Sequence, residues 1–193
     1  MIRQLTQVNG VAVRWWLTIA LAVSWFSTSA QSRFIDRGGY ASFFSSAPME
    51  DIKAESQQVV SILDVKEGKL VATMLMRSFN FRKALMQEHF NENYVESSKY
   101  PKASFNGTVT NIDQLDLTKD GKYTLDVKGE ITLHGVTKPL EVKAEATVSN
   151  GSLQARAVFP LTVKDFEIQV PRLVVDNIAE VVEVTVAFNY RPM

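Results

Sequence analysis

A strict alternation of non-polar and polar residues from Tyr123 to Leu133 places the tightest limit on what this chain can fold into. The odd positions are Tyr123, Leu125, Val127, Gly129, Ile131 and Leu133, and the even ones are Thr124, Asp126, Lys128, Glu130 and Thr132. Because successive side chains of a β-strand point to opposite faces, this pattern predicts a strand with one buried and one wet face.

The same alternation recurs further along the chain, over residues 140–148, 153–163 and 182–190. His134-Gly135-Val136 and Asn150-Gly151 separate these strands, and Asn-Gly favours a two-residue hairpin turn because both residues tolerate positive φ. Less regular strands are predicted earlier, at Phe34–Arg37, Tyr40–Phe44, Gln58–Val65, Lys69–Arg77, Phe105–Asn111 and Ile112–Leu117. The breaks between them are Gly38-Gly39, Glu67-Gly68 and Asp120-Gly121. About eight to ten strands of this kind make an all-β barrel or sandwich.

One segment, Phe81–Val95, has the periodicity of a helix instead. Its apolar or aromatic positions are Phe81, Leu85, His89, Phe90 and Tyr94, which keep to one helical face. Asn80 is the expected N-cap, and Pro101 stops any continuation. A single amphipathic helix in a β chain has to bury its apolar face on the sheet, so we expect it to cap or line an open end of a barrel.

Composition excludes several classes of function. Lys and Arg number 21 against 21 for Asp and Glu, so the chain lacks the basic surplus that displaces counterions from nucleic acid. It contains no cysteine and two histidines, which argues against disulfides, thiolate metal centres and a cysteine nucleophile. We therefore expect no metal, no cofactor and no nucleic-acid partner.

Residues 1–30 are predicted to be a cleaved signal peptide ahead of one domain over residues 31–193. They contain arginine but no acidic residue, and an apolar run at Trp15–Phe26 precedes small residues that end at Ala30. A positively charged N-terminal region, a short apolar segment and small residues at the cleavage site are typical of secretory signal peptides. A membrane anchor is the alternative, but a helix over Trp15–Phe26 rises about 18 Å against about 30 Å of hydrocarbon. Cleavage near Ala30 predicts an exported chain with no integral membrane anchor.

The inward face of the predicted strands mixes small and bulky residues. The small ones are Gly107, Gly129, Ala144, Ala146, Ala155 and Ala157, and the large or pliable ones are Met74, Met76, Phe105, Tyr123 and Phe159. Small residues on adjacent strands leave volume for an apolar ligand, and methionine adapts to ligands of irregular shape. In the alternative, each small residue meets a bulky partner in a filled core. A closed barrel of about eight strands admits both arrangements.

Neither histidine marks a catalytic or metal site. His89 lies among apolar helix positions, where a histidine is more often a core or lid residue than a base. A metal site that combines the histidines with Glu88 or Glu92 can be imagined, but Glu88 and His89 are adjacent and diverge by about 100° on a helix, so they do not chelate together. His134 precedes Gly135 at a turn, where we expect it to serve the backbone. The sequence contains no Gly-x-Ser-x-Gly elbow, Walker loop or dinucleotide fingerprint.

Three stretches carry a resemblance to the YceI-like family that runs from about Arg33 to Tyr190. Phe79–Tyr94 followed by Lys99–Gly107 is similar to the family's helix that ends in a His-Phe pair and leads into a Tyr-Pro-x-Ala-x-Phe strand. Gly129–Pro139 resembles its Gly-x-Leu-x-x-His-Gly-Val-Thr-Lys hairpin, and Val182–Phe188 fits its final strand.

The resemblance implies an extended, antiparallel, lipocalin-like β-barrel, periplasmic or secreted, that binds a polyisoprenoid such as a polyprenyl chain or quinone tail and is not an enzyme. The expected apolar ligand contacts are Met74, Met76, Leu85, His89, Phe90, Tyr94, Phe105, Tyr123, Leu125, Val142, Ala144, Ala155 and Phe159. Two other functions stay open: a lipid-modifying enzyme that uses His89 at the barrel mouth, and a filled barrel that contacts envelope proteins through its outer surface. A homodimer also stays open.

Overall fold

The computed structural model describes residues 32–46, 50–169 and 179–193. Its strands are β1 (Arg33–Ser45), β2 (Ile52–Asp64), β3 (Lys69–Leu75), β4 (Asn80–Phe81), β5 (Lys102–Val109), β6 (Gly121–Leu133), β7 (Val136–Ser149), β8 (Ser152–Thr162) and β9 (Val181–Pro192). Helix α1 (Ala84–His89) continues into a π-helical turn (Phe90–Tyr94), and 3-10 turns cover Met76–Ser78, Ile112–Gln114 and Val163–Phe166. No helix in the described ranges is both long and apolar enough to cross a membrane. The predicted signal peptide lies outside these residues.

The strands close into a ring in which neighbours in sequence are neighbours in space. The order is β1-β9-β8-β7-β6-β5-β3-β2-β4, and β1 also pairs with β2. β3 pairs directly with β5, while the two-residue β4 adds to β2. Every pairing is antiparallel, so the eight strands other than β4 form a closed up-and-down barrel. The predicted all-β, lipocalin-like barrel is confirmed.

The connections divide the barrel into a lower and an upper end. The β2–β3, β5–β6 and β7–β8 connections lie at the lower end, and the β6–β7 connection and the one that carries α1 lie at the upper end. His134-Gly135 turns β6 into β7, and Asn150-Gly151 turns β7 into β8. All four residues have φ from 50° to 76°, the left-handed geometry that matches the twist of a two-residue hairpin.

Gly38-Gly39 bulges β1 and does not divide it. Asp36 and Gly39 are three residues apart, whereas their partners on β2, Ser61 and Val59, are two apart. The predicted separation of Phe34–Arg37 from Tyr40–Phe44 is therefore wrong, because a bulge bends a strand while keeping it continuous.

Two further local predictions are wrong. Ile112–Leu117 forms a 3-10 turn and a loop. The Asn111 side-chain oxygen accepts a hydrogen bond from the Asp126 backbone N–H at 2.8 Å, in place of the next backbone hydrogen bond between β5 and β6. The N-cap of α1 is Lys83 and not Asn80. Asn80 belongs to β4, and its side-chain amide donates to two nearby backbone carbonyls.

Side chains of β7, β8 and β1 pack closely at the lower end of the barrel. Ala146, Val148 and Leu153 are at most 1% exposed, and Phe34 is 5% exposed. Such a close-packed region supplies the hydrophobic stability of the domain.

Candidate functional site in the barrel interior

The barrel interior contains a cavity of about 580 Å³ that opens at the α1 end and reaches Leu63 and Leu70 near the β2–β3 connection. Inward side chains from all eight barrel strands and from α1 form its wall, which is almost entirely apolar. Val59, Val142 and Val186 are typical of the strand contribution. An apolar wall with few polar groups suits a ligand that is recognised by burial of hydrocarbon surface and not by directed hydrogen bonds.

The predicted ligand contacts lie together along this wall, with one exception. Lining the cavity are Met74, Met76, Leu85, His89, Phe90, Tyr94, Phe105, Leu125, Val142, Ala144, Ala155 and Phe159. Tyr123 faces inward but lies lower, where its hydroxyl is 3.0 Å from the Asp116 carbonyl oxygen and 2.9 Å from that of Lys119. The prediction for Tyr123 is corrected: it helps to close the lower end. Alternation fixes the face of a residue but not its height in the barrel.

The small residues of β7 and β8 leave part of the cavity's volume. Ala144 pairs with Ala157 and Ala146 with Ala155. Ala144, Ala155 and Ala157 line the cavity, whereas Ala146 is fully buried in the lower core.

The glycine pair of β5 and β6 makes room for a ring, not for a ligand. Gly107 and Gly129 are direct cross-strand partners. The ring of Phe105 lies over both, 2.7 Å from the position that a Cβ would take on either one.

Four phenylalanines form an aromatic cluster at the upper end of the cavity. Phe43, Phe79, Phe81 and Phe90 have ring centroids 5.0 to 5.8 Å apart, within the range of favourable aromatic pairs. All four line the cavity. Sequence reasoning selected Phe90 alone. Phe43 could have been found from its alternation with Ala41, but the position of Phe79 and Phe81 depends on the β3–β5 connection.

Two aromatic residues of β9, Phe188 and Tyr190, line the cavity side by side. Their ring centroids are 5.6 Å apart, and both are less than 10% exposed. A Cβ at Gly39 would lie 2.6 Å from the Phe188 ring, so glycine at the β1 bulge makes room for that ring. The Tyr190 hydroxyl lies 2.7 Å from the Ser61 hydroxyl of β2. Burial raises the pKa of Tyr190, partly offset by this hydrogen bond, so the phenol stays neutral.

Polar groups gather at the mouth of the cavity. Lys83 and Glu50 form an ion pair there, and His89 and Tyr94 line the same region. Burial raises the pKa of Tyr94. Leu85 lines the cavity and is nevertheless 60% exposed, which marks the boundary between the cavity and water.

His134 lies outside the cavity and joins three segments of the upper end. Its Nδ1 donates to the carbonyl oxygen of Phe166 at 2.9 Å, and its Nε2 lies 2.9 Å from a carboxylate oxygen of Glu96. The Tyr100 ring meets the imidazole edge to face, with centroids 4.5 Å apart. The expectation that His134 serves the backbone of its own turn is too narrow, because both ring nitrogens reach partners on other connections.

A closed antiparallel barrel with an apolar interior and a helix at its mouth defines a lipocalin-like protein. Comparison with known families identifies the family. The model of the YceI-like domain matches residues 35–190, so the chain belongs to the YceI-like family. A polyisoprenoid-binding domain from Saccharophagus degradans has the same fold, with a TM-score of 0.73 at 14% identity over 84% of this chain and 99% of that one. BcnA of Burkholderia cenocepacia matches with a TM-score of 0.62 at 12% identity, covering 79% of this chain and 96% of its own.

Curated sequence relatives match over shorter stretches. A UPF0312 protein of Pseudomonas fluorescens is 42% identical over 53 residues, which are 28% of this chain and 26% of the relative. One from Vibrio cholerae is 31% identical over 83 residues, or 42% of this chain and 40% of the relative. These matches therefore span about a quarter and two fifths of the relatives' lengths.

Proposed function

We propose that this protein binds a polyisoprenoid or a similar long-chain lipid, such as a polyprenyl or quinone tail, inside its barrel and carries or sequesters it. The observation that carries the proposal is the apolar cavity of about 580 Å³ in the barrel interior, which opens at the mouth. The fold shared with a polyisoprenoid-binding domain supports the same ligand class.

Burial of hydrocarbon supplies the binding free energy. Each methylene removed from water contributes about 0.8 kcal/mol, and part of the sum is lost to the entropy of association. A preformed wall reduces that cost, because its strands are already fixed by the closed ladder of hydrogen bonds. The mouth residues Lys83, Glu50, His89 and Tyr94 then meet the polar head of the ligand. In this function they orient the ligand and perform no catalysis.

Export belongs to the same proposal. The acid-free leader with its short apolar run is that of a secretory signal, and we place the mature chain, Gln31–Met193, in the periplasm or outside the cell. A protein that shields a lipid tail is useful there, since the tail has to cross water between membranes.

Native mass spectrometry of Gln31–Met193, purified from a bacterial periplasm without strong detergent, tests the proposal directly. We expect an adduct that is released on denaturation and gives an isoprenoid fragmentation series. If none is present, the protein is incubated with polyprenols and quinones. A bare mass after both steps contradicts lipid binding.

A pair of tryptophan variants tests whether the ligand occupies the cavity. Ala155→Trp places an indole in the cavity, whereas Gln154→Trp places it on the exposed face of the same strand. We expect the first variant to lose the adduct and the second to keep it. The sequence has no tryptophan beyond the leader, so each indole also reports its own environment by fluorescence. A folded Ala155→Trp protein that binds lipid normally contradicts the assignment of the site.

A further inference from the structure

We infer that lipid chains enter and leave the cavity through a gap in the barrel wall, the β7–β8 gap, which lies between residues 136–143 of β7 and 158–162 of β8. This inference rests on the proposed function and adds the route of the ligand to it. It follows from where the two strands stop pairing, from the residues on both sides of the gap and from what closes its ends.

The β7–β8 gap begins where the pairing of the two strands stops. Their last pair is Ala144 with Ala157. Beyond it, residues 136–143 pair with β6 and residues 158–162 pair with β9, but the two segments do not pair with each other. At about 3.4 Å per residue, the unpaired part of β8 is about 17 Å long.

Two prolines account for the end of the ladder. If the register continued, Pro160 would face Glu141 and Pro139 would face Thr162. Proline has no N–H to donate to a neighbouring strand, and within sheets it is found at edges and bulges. Each proline still has a partner on its other side, since Pro139 pairs with β6 and Pro160 with β9. The sequence therefore leaves both strands with an edge in this half of the barrel.

The β7–β8 gap opens onto the cavity. Leu140 and Val142 of β7 line the cavity on one side of the gap, and Phe159 and Leu161 of β8 line it on the other. A hydrocarbon chain that passes between the strands therefore contacts apolar side chains as soon as it leaves water, which lowers the cost of the passage.

The charged side chains outside the gap are held away from it. Glu141 forms an ion pair with Lys128 at 2.9 Å and Lys143 one with Asp126 at 2.7 Å, and both partners belong to β6. On the β8 side, the outward Val158 is 43% exposed. No ion pair in the described residues crosses the gap, so a chain can pass without breaking one.

Both ends of the β7–β8 gap are fixed. The Ala144–Ala157 pair closes the lower end. At the upper end, the 3-10 turn Val163–Phe166 packs against β7, and the carbonyl oxygen of Phe166 accepts the hydrogen bond from His134 Nδ1. The gap is therefore a bounded opening and not a frayed strand end.

The other place where the wall separates is covered. Strands β2 and β3 pair over residues 60–63 and 70–73, and they do not pair above these residues. There β4 adds to β2, and the Ser78 hydroxyl lies 2.7 Å from that of Ser56. In the part of the chain that the structure describes, no strand adds to the unpaired edges of β7 and β8 in the same way.

Cross-linking tests the route, because the chain contains no cysteine that would compete. Glu141→Cys with Pro160→Cys places a thiol on each side of the gap. The matched control, Glu145→Cys with Arg156→Cys, places them on direct partners in the paired part of the same strands. The mature protein is loaded with a dansyl-labelled geranylgeranyl lipid, bridged with a short bismaleimide and mixed with excess phosphatidylcholine vesicles. The fall in dansyl fluorescence measures the rate of release.

We expect the bridge across the gap to slow release by about tenfold or more, and the control bridge to leave it within about threefold of the unbridged protein. Lys143→Cys with Val158→Cys serves as a second pair across the gap if the first does not fold. An unchanged release rate in protein bridged across the gap overturns the inference. If the wild-type protein does not bind the labelled lipid at all, the proposed function is overturned instead.

Discussion

His134→Asn is expected to destabilise the upper end of the barrel without disturbing the turn in which it lies. His134 has a φ of 51° and Gly135 a φ of 76°. Asparagine tolerates this left-handed geometry better than most residues, so the β6–β7 hairpin keeps its form. The shorter side chain cannot span the distances to Glu96 and Phe166, and the substitution therefore isolates the contacts of the imidazole.

The magnitude follows from three contacts. The hydrogen bond to the Phe166 carbonyl contributes about 1 kcal/mol, and the edge-to-face contact with Tyr100 about 0.5–1.5 kcal/mol. The Glu96 side chain is 43% exposed, so solvent screens its interaction with His134 to about 1 kcal/mol. Together, the loss of these three contacts should lower the free energy of unfolding by about 3 kcal/mol.

Urea unfolding of the mature protein measures this loss, and a double-mutant cycle with Glu96→Gln isolates the contact between the imidazole and the Glu96 carboxylate. The coupling energy between the two positions should be about 1 kcal/mol. His89→Asn, a change at the other histidine, is the matched control and is expected to stay within about 0.5 kcal/mol of wild type. A loss below about 1 kcal/mol for His134→Asn, or no coupling to Glu96, would refute this account.

Three further substitutions test separate features by the same unfolding measurement. Gly129→Ala should lower the free energy of unfolding by about 1–3 kcal/mol, since its Cβ would lie 2.4 Å from the Asn106 carbonyl oxygen. The control, Gly121→Ala, should be close to neutral, because the nearest atom to its Cβ would be 3.8 Å away. Tyr190→Phe should cost about 1 kcal/mol for the lost hydrogen bond to Ser61, and an unchanged stability would contradict a stabilising role for that bond. Hydrogen bonds from Thr118 and Lys119 lower the pKa of Asp116 to about 2. The ionised carboxylate therefore stabilises the folded state fully above the pKa of the unfolded chain, about 3.9, and this stabilisation disappears as the pH falls to about 2. Asp116→Asn should flatten that part of the acid profile, and an unaltered profile would exclude this carboxylate as its source.

Much of the barrel follows from local sequence rules. The alternation over β6 to β9 and the two left-handed hairpins are set by neighbouring residues, and the structure confirms them. Predictions failed where distant contacts decide. The Gly38-Gly39 pair is typical of a break between two strands. In the structure Gly39 instead makes room for the ring of Phe188, which lies far away in the sequence. Ile112–Leu117 has the composition of a strand, yet the Asn111 side chain ends the ladder before it.

The candidate site shows the same division. The alternation of polar and non-polar residues predicts which side chains face inward. Met74, Ala155 and Phe159 were predicted in this way, and they line the cavity in the structure. Tyr123 was misplaced because depth along the barrel depends on the stagger between strands, which no single strand encodes. Phe79 and Phe81 were missed because they lie in an irregular connection, where no periodicity predicts the direction of a side chain.

The seam between β1 and β9 has a consequence for how the protein folds. Around the rest of the ring, each strand pairs with a strand near it in sequence, so hairpins can form successively at low contact order. The β1–β9 seam alone joins the two ends of the domain, and it has to close the longest loop. Until it closes, the apolar wall belongs to an open sheet that faces water. Under the proposed function, a lipid chain that binds only the closed ring would favour the folded state by mass action, so ligand supply would affect the folding yield.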